Sequence, residues 1–236
     1  MHLFHTNCCH QLTVPVSKKI TLAEIESSLC KAARAVRLDW GIAEEMGKSA
    51  RWLAAFNLPG PALALQYLQS INGKQYAGLI PDCSRPVWQA DSGLLCPVIS
   101  GAALADRSAK MLRGQTFELL NVAFPLLLAA TVGQAARCHQ TLVTVSWAQV
   151  RVHCYENGLS IQGHHGDLFL HQVDSVVCQQ GDQQTAAETP QQLPSTLAYS
   201  IDPDTWAMIN VLAFKTYVPA SEASRAGAGA GLVDND

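Results

Sequence analysis

The spacing of apolar residues changes its period along the chain, and this change limits the fold more than any other feature. Up to about residue 72, apolar side chains recur at helical spacing, as at Leu22, Ile25 and Leu29. From Thr141 to Tyr155, apolar and polar side chains alternate, as in strands with one buried face. The sequence therefore predicts helices first and a sheet afterwards.

Local signals place the ends of the first three helices. Thr21-x-x-Glu24 is a capping box, in which a hydroxyl and a carboxylate each satisfy a free amide at the start of a helix. Asp39 is suited to cap the second helix. Pro61 at the start and Asn72-Gly73 at the end frame the third. Gly47 lies inside the second helix, where a close approach of the first helix would explain a glycine.

The second half of the chain carries one strong turn signal. Asn157-Gly158 is the dipeptide typical of a type I′ hairpin turn, in which both central residues have positive φ. Residues 101–113 are predicted to form a short helix, residues 74–97 a loop, and residues 204–218 a further helix.

These elements predict an α+β fold with N-terminal helices, a largely antiparallel sheet with a hairpin, and a closing C-terminal helix. The predicted organisation is an irregular leader over residues 1–19, a single domain over residues 20–218, and a Gly/Ala-rich tail over residues 219–236.

Charge and targeting signals narrow the classes of partner. The 16 basic and 19 acidic residues give a net charge of −3, which argues against nucleic acid and against a polybasic membrane contact. The N-terminus lacks the pattern of a signal peptide, so a cytoplasmic location is expected. The eight cysteines are accordingly expected to be free thiols.

Two segments resemble a bacterial domain-of-unknown-function family, number 3726: EIESSLCKAARAVRLDWGIAEEMGKSARWLAAFNLPG and TYVPASEASRAGAGAGLVDND. The resemblance extends over about residues 18–236. It implies a fold and a family membership, and it brings no activity, cofactor or catalytic residue.

A fainter likeness is to the malate and lactate dehydrogenase family that lacks a Rossmann fold. That family has two helices, a short glycine turn and another helix at its N-terminus, with Ser-His-Gly where this chain has Leu58-Pro59-Gly60. The histidine that would serve the redox chemistry is missing here. The likeness therefore implies a distant relative of that family whose chemistry differs from that of the dehydrogenases.

The tail supplies the main candidate site. Hydroxyls, a guanidinium and backbone amides between alternating glycines are the groups that bind a carboxylate or a phosphate. The candidate anion or ligand residues are Ser221, Glu222, Ser224, Arg225, Gly227 and Gly229. The alternative is a frayed C-terminus without a binding role.

Secondary candidates lie on predicted helices. Arg51 could form one wall of a polar pocket, although a solvated face with local ion pairs, such as Glu44 with Lys48, is the alternative. Asp106 and Arg107 could orient a substrate carboxylate, or could form a structural ion pair or a helix cap.

No metal site is predicted. His5, Cys8, Cys9 and His10 lie in a short leader that offers no second shell of ligand-orienting groups. His164 and His165 are adjacent to Asp167, but neighbouring side chains in an extended segment point apart.

Two functional hypotheses remain open at this stage. The first is a protein, with or without enzyme activity, that binds a small anionic metabolite. The second is a non-catalytic subunit or interaction module whose tail docks on a heteromeric partner or on a second copy of the chain. The sequence identifies no cofactor, substrate or reaction.

Overall fold

A computed structural model describes residues 17–182, 191–192 and 197–217. Within these residues there are eight α-helices: Leu22–Ala35 (α1), Trp40–Ala55 (α2), Gly60–Ile71 (α3), Pro97–Ala105 (α4), Ser108–Met111 (α5), Pro125–Cys138 (α6), His165–Leu168 (α7) and Pro203–Phe214 (α8). The strands are Lys18–Thr21 (β1), Val87–Trp88 (β2), Phe117–Ala123 (β3), Val143–Trp147 (β4), Val150–Cys154 (β5), Gly158–Gly163 (β6), Gln172–Gln180 (β7), Gln191–Gln192 (β8) and Ala198–Ile201 (β9).

The strands form two sheets. The larger has the order β2-β3-β7-β4-β5-β6-β8, and every neighbouring pair is antiparallel except β2 with β3. The smaller pairs β1 with β9, also antiparallel. The predicted α+β fold with a largely antiparallel sheet and a closing helix is confirmed.

One face of the larger sheet packs against α6. Alternate residues of β4 and β5, such as Val145 and Val152, are fully buried on this face. The Cys154 thiol, also on this face, donates to the Ala129 carbonyl of α6 at 3.7 Å. Thr144, the neighbour of Val145, points to the opposite face, as the period of a strand requires.

Helix α2 is the centre of the helical layer. It packs against α1, α3, α4 and α6, while α1 also packs against α8. Met46, Ala50 and Leu53 of α2 are fully buried, as are Ile25 and Leu29 of α1. The apolar stripes predicted from the sequence are therefore the faces that these helices bury.

The crossing of α1 and α2 is close at Gly47, as predicted. A Cβ atom at this position would lie 2.5 Å from the Glu26 carbonyl oxygen of α1. The predicted cap of α1 is also present, because Thr21 Oγ1 accepts a hydrogen bond from the Glu24 amide at 3.1 Å. Asp39 occupies the cap position of α2 without making a side-chain cap.

The predicted hairpin is present, but the centre of its turn was predicted wrongly. The Tyr155 amide donates to the Gly158 carbonyl at 3.0 Å, so Glu156 and Asn157 are the central residues. Gly158 begins β6 and does not have positive φ. A contact at the other end of the hairpin explains this register: Gly163 pairs with Val150, and a Cβ there would lie 1.8 Å from the Gln149 carbonyl oxygen.

Three smaller expectations need correction. Residues 101–113 contain the end of α4 and the separate helix α5 rather than one helix. Residues 74–97 include a 3₁₀ helix over Tyr76–Leu79 and the short strand β2. Lys48 pairs with Glu45 at 2.8 Å rather than with Glu44.

The cysteines in the described ranges are free thiols, as predicted; Cys8 and Cys9 lie outside these ranges. Within residues 17–182, 191–192 and 197–217, no helix combines the length and the hydropathy that crossing a membrane requires.

Two glycines of α2 give a matched test of the α1–α2 contact. We expect Gly47→Ala to lower the free energy of unfolding by about 1–3 kcal/mol, because the added methyl group meets backbone of α1. Gly41→Ala is the control: its Cβ meets nothing within 4 Å, so helix propensity should make the change neutral or stabilising by up to about 1 kcal/mol. Urea denaturation followed by circular dichroism measures both, and equal effects would contradict the close contact.

Candidate functional site

The tail candidates Ser221, Glu222, Ser224, Arg225, Gly227 and Gly229 lie outside the described residues. The last described residue, Tyr217, is held against α1. Its hydroxyl accepts a hydrogen bond from Lys31 Nζ at 2.8 Å, and the same ammonium group lies 5.0 Å from the centre of its ring. The chain therefore enters the tail from a position beside α1.

Arg51 has a partner on the neighbouring helix. Its Nη1 lies 2.6 Å from Glu26 Oε2 of α1, and the arginine side chain is 49% exposed. Such a half-exposed pair contributes about 1 kcal/mol or less. The structure thus favours the interpretation of this region as a solvated helix face with ion pairs.

Asp106 and Arg107 do not converge on a common point. Arg107 Nη1 donates to the Ala103 carbonyl at 3.0 Å, and its guanidinium lies 5.3 Å from the centre of the Trp88 ring. Asp106 is exposed at the C-terminal end of α4. Through these contacts Arg107 packs α4 against β2.

The histidines beside α7 make local contacts. His164 Nδ1 lies 3.7 Å from Asp167 Oδ1, and the His165 ring packs against the Phe169 ring. In the part of the chain that the structure describes, no three His, Cys, Asp or Glu side chains are grouped as ligands of a metal ion. His5, Cys8, Cys9 and His10 lie outside that part.

A cleft of about 680 Å³ lies where α1 and α3 end. Residues 35–38 after α1 form one side, and residues 71–77 with Leu79 form the other. Arg37 and Lys74 contribute cationic groups, and no carboxylate is present among the described residues that line this cleft. We call this region the α1/α3 cleft.

The backbone after the end of α1 is left-handed at Arg37. Arg37 has φ of 70°, a left-handed value that favours glycine, and the turn is closed by hydrogen bonds from the Arg37 amide to Arg34 and from the Leu38 amide to Ala33. A left-handed arginine carries local strain of about 1–2 kcal/mol. The same conformation and the same pair of hydrogen bonds occur at Asn57 and Leu58 after α2, so this turn is a helix end that fixes where Arg37 stands at the cleft.

The Tyr76 hydroxyl adds an uncharged hydrogen-bonding group to the α1/α3 cleft. Its burial and the neighbouring Asp39 carboxylate raise the pKa of Tyr76 to about 12. Tyr76 is therefore protonated at neutral pH, and its hydroxyl forms a hydrogen bond with the Asp39 carboxylate.

The charges around the cleft leave it positive. Two helix C-termini each carry roughly half a negative charge, and Asp39 adds a full one. Arg37 and Lys74 oppose these charges, together with Arg34, whose guanidinium donates to the Leu38 carbonyl at the edge of the cleft. The balance is about one positive charge.

A second cavity, of about 470 Å³, lies on the sheet face that does not pack against α6. Arg151, Ser146 and Ser175 line it, and Arg151 is its one cationic residue in the described ranges. The next row of the sheet is unusual because it buries polar side chains: Thr144 Oγ1 lies 2.9 Å from His153 Nδ1.

In this buried row His153 is 1% exposed. Among the residues that the structure describes, neither its Nε2 atom nor the hydroxyl of the cross-strand neighbour Ser160 has a hydrogen-bond partner. The alternation of side chains along a strand predicts that these residues share one face of the sheet. It does not predict that they are buried there.

The sequence reasoning did not single out Arg37, Lys74 or Tyr76. The helix ends beside them were recognisable, since Asn72-Gly73 marks the end of α3 and Asp39 the start of α2. Nothing local indicates that two helix ends 36 positions apart share a cleft.

Residues 20–92 match the model of a family described as "Protein of unknown function (DUF3726)". The N-terminal resemblance to that family is confirmed. The match covers less than half of the chain, it includes both sides of the α1/α3 cleft, and the tail lies beyond it. The family description names no activity.

No curated protein matches the chain. Among solved structures, the chain is similar to malate dehydrogenase from Entamoeba histolytica, with 13% identity, a TM-score of 0.40, and coverage of 67% of this chain and 49% of that one. It is also similar to malate dehydrogenase from Pyrococcus horikoshii OT3, with 10% identity, a TM-score of 0.46, and coverage of 76% and 61%. The chain thus spans less than two thirds of either enzyme, and similarity at this level assigns no function.

The raised pKa of Tyr76 predicts a pH dependence of stability. The neutral phenol is favoured in the folded state, so its contribution is fully present below the ordinary pKa of 10.0 and is lost as the pH rises towards about 12. We expect Tyr76→Phe to reduce the loss of stability between pH 10 and 12 relative to the unmodified protein. Chemical denaturation at a series of pH values measures this, and parallel curves would contradict it.

Proposed function

We propose that this protein binds a small anionic metabolite in the α1/α3 cleft. The observation that carries the proposal is that Arg37 and Lys74 line a cleft of about 680 Å³ whose described lining contains no carboxylate. This volume is in the range of small-molecule sites. Arg37 is held there by helix-end hydrogen bonds, so its Cα position is fixed before a ligand arrives.

The residues suit a carboxylate or a phosphate. The Arg37 guanidinium can make a two-pronged contact with an oxyanion, and Lys74 adds a flexible point charge. Tyr76 is neutral and its hydroxyl is hydrogen-bonded to the Asp39 carboxylate, so it lines the cleft without adding charge. The proposal is binding alone, because these three groups do not form a nucleophile–base pair.

The tail residues are proposed as further ligands of the same anion. Tyr217 contacts Lys31, which lies four residues before the end of α1 at Ala35, or about 6 Å along the helix. A tail that continues from Tyr217 has enough length to bring Ser221, Ser224 and Arg225 to the cleft, since four extended residues reach about 13 Å.

Docking of the tail on a protein partner is the second candidate function. One observation favours it: α8, directly before the tail, exposes apolar side chains, with Val211 62% and Phe214 67% exposed. Such a surface is typical of a contact with another protein.

Anion binding is tested with Arg37→Gln/Lys74→Gln and two probes, inorganic phosphate and citrate. Isothermal titration at low ionic strength should show binding to the unmodified protein and at least about tenfold weaker binding to the double variant, since each charge-assisted hydrogen bond contributes about 1.5–3 kcal/mol. Arg151→Gln is the control for the second cavity. Lys110→Gln/Arg113→Gln, two exposed positions, is the control for net charge.

The outcomes separate the alternatives. Equal weakening in Lys110→Gln/Arg113→Gln would mean that binding follows net charge. Weakening in Arg151→Gln alone would place the anion on the sheet face. Either result, or no binding of either probe to the unmodified protein, contradicts the proposal for the α1/α3 cleft.

The role of the tail is tested with Arg225→Lys, which keeps the charge and removes the two-pronged contact. We expect weaker binding by about 1 kcal/mol or more and nearly unchanged folding stability. Arg113→Lys is the matched control. Rapid hydrogen exchange throughout residues 219–233, with and without phosphate, would contradict a role for the tail.

A further inference from the structure

Helix α8 is apolar on both of its faces. Trp206, Ile209 and Leu212 are buried on the side that packs against α1 and α3. On the outer side, Met208 is 44% exposed and Val211 is 62% exposed. A helix that is apolar all round is normally covered on all sides, yet the described residues leave the outer face of α8 largely exposed.

The outer face has the spacing of a helix-pairing seam. Asp204, Met208, Val211 and Lys215 follow one another at intervals of four, three and four residues, which places them in one line along the helix. Asp204 and Lys215, both exposed, are the acidic and basic ends of this line, and the two apolar residues lie between them. We call these four residues the α8 stripe.

The α8 stripe is complementary to itself when reversed. If two copies pair antiparallel about an axis between Ile209 and Asn210, Asp204 of each copy faces Lys215 of the other. The same operation places Met208 of each copy against Val211 of the other. A two-fold symmetric interface requires this relation, in which one residue contacts a second and the second contacts the first.

We propose that α8 is the self-association surface of this protein, with a second copy of the chain as its occupant. The charge pattern selects a second copy over an unrelated partner, because one helix supplies both halves of each charge pair. The proposal is independent of anion binding, since the α8 stripe shares no residue with the α1/α3 cleft.

The size of the contact sets the expected strength. The α8 stripe is about 16 Å long, as eleven residues of helix rise 1.5 Å each. Gln69 of α3 lies at its edge, with Nε2 3.9 Å from the Met208 sulfur. One helix pair is smaller than a standard stable interface, so the association should be reversible and dependent on concentration.

A charge exchange tests the register. Sedimentation velocity of the full chain over a range of concentrations gives the dissociation constant of the dimer. We expect Asp204→Lys and Lys215→Asp each to weaken the dimer at least about tenfold, because each places like charges opposite one another at both ends. The double variant should return to within about threefold of the unmodified protein, because it exchanges the partners. Lys110→Asp, a charge reversal at an exposed position on α5, should have no effect.

Asp204 and Lys215 also affect the stability of α8 itself, so a loss of stability must be distinguished from a loss of dimerisation. Asp204 at the start of α8 and Lys215 at its end favour the helix dipole, so every exchange lowers stability slightly. Circular dichroism confirms that each variant is folded, and the readout is the dissociation constant. Val211→Asp, which places a charge at the centre of the α8 stripe, should abolish the dimer.

Three results would overturn the proposal. The first is a folded double variant that dimerises no better than the single variants. The second is a dimer that Val211→Asp leaves intact, which would place self-association on another face. The third is an unmodified protein that stays monomeric at all concentrations; a lower melting temperature of Val211→Asp would then indicate that another part of the same chain covers α8.

Discussion

The contact between α1 and α2 at Gly47 is the constraint on which the rest of the helical layer depends. A carbonyl of α1 occupies the space where any larger residue would place its Cβ, so the two axes cross at a short distance. The crossing also brings Glu26 within reach of Arg51. Because α2 also packs against α3, α4 and α6, it sets the position of α1 relative to α3, and therefore the shape of the α1/α3 cleft.

The parts of the fold that follow from neighbours in sequence were predictable. The capping box at Thr21, the end of α3 and the apolar stripes of α1 and α2 each depend on residues within a few positions. The turns of the sheet depend on more distant contacts. The β4–β5 hairpin turns at Ala148 and Gln149, where Ala148 has φ of 44° although its sequence carries no turn signal. The β5–β6 hairpin has its register set by Gly163 rather than by the stronger local signal at Asn157-Gly158.

The candidate site was predictable only in its chemistry. Composition and the absence of basic clusters favoured a small ligand over nucleic acid, and the cationic groups of the α1/α3 cleft agree with an anion. The location was not predictable, because the strain at Arg37 arises from the way α1 ends and the cleft arises from two helix ends that packing brings together. The burial of His153, on the sheet face that does not pack against α6, was also not predictable. Strand alternation predicts on which face a side chain lies and not whether it is buried.

The pairing of β1 with β9 has a consequence for biosynthesis. Lys18 pairs with Ile201, so two strands about 180 positions apart form one ribbon, and the helices that follow them, α1 and α8, pack together. Contacts of such long sequence separation form late, because the intervening chain must first be ordered. In a nascent chain on the ribosome, the part of α1 that α8 covers therefore stays exposed until residues beyond 200 have emerged, although α2 can already pack against α1. During that interval the β1–β9 ribbon is unpaired, and the N-terminal strand gains its partner only when residues 198–201 are available.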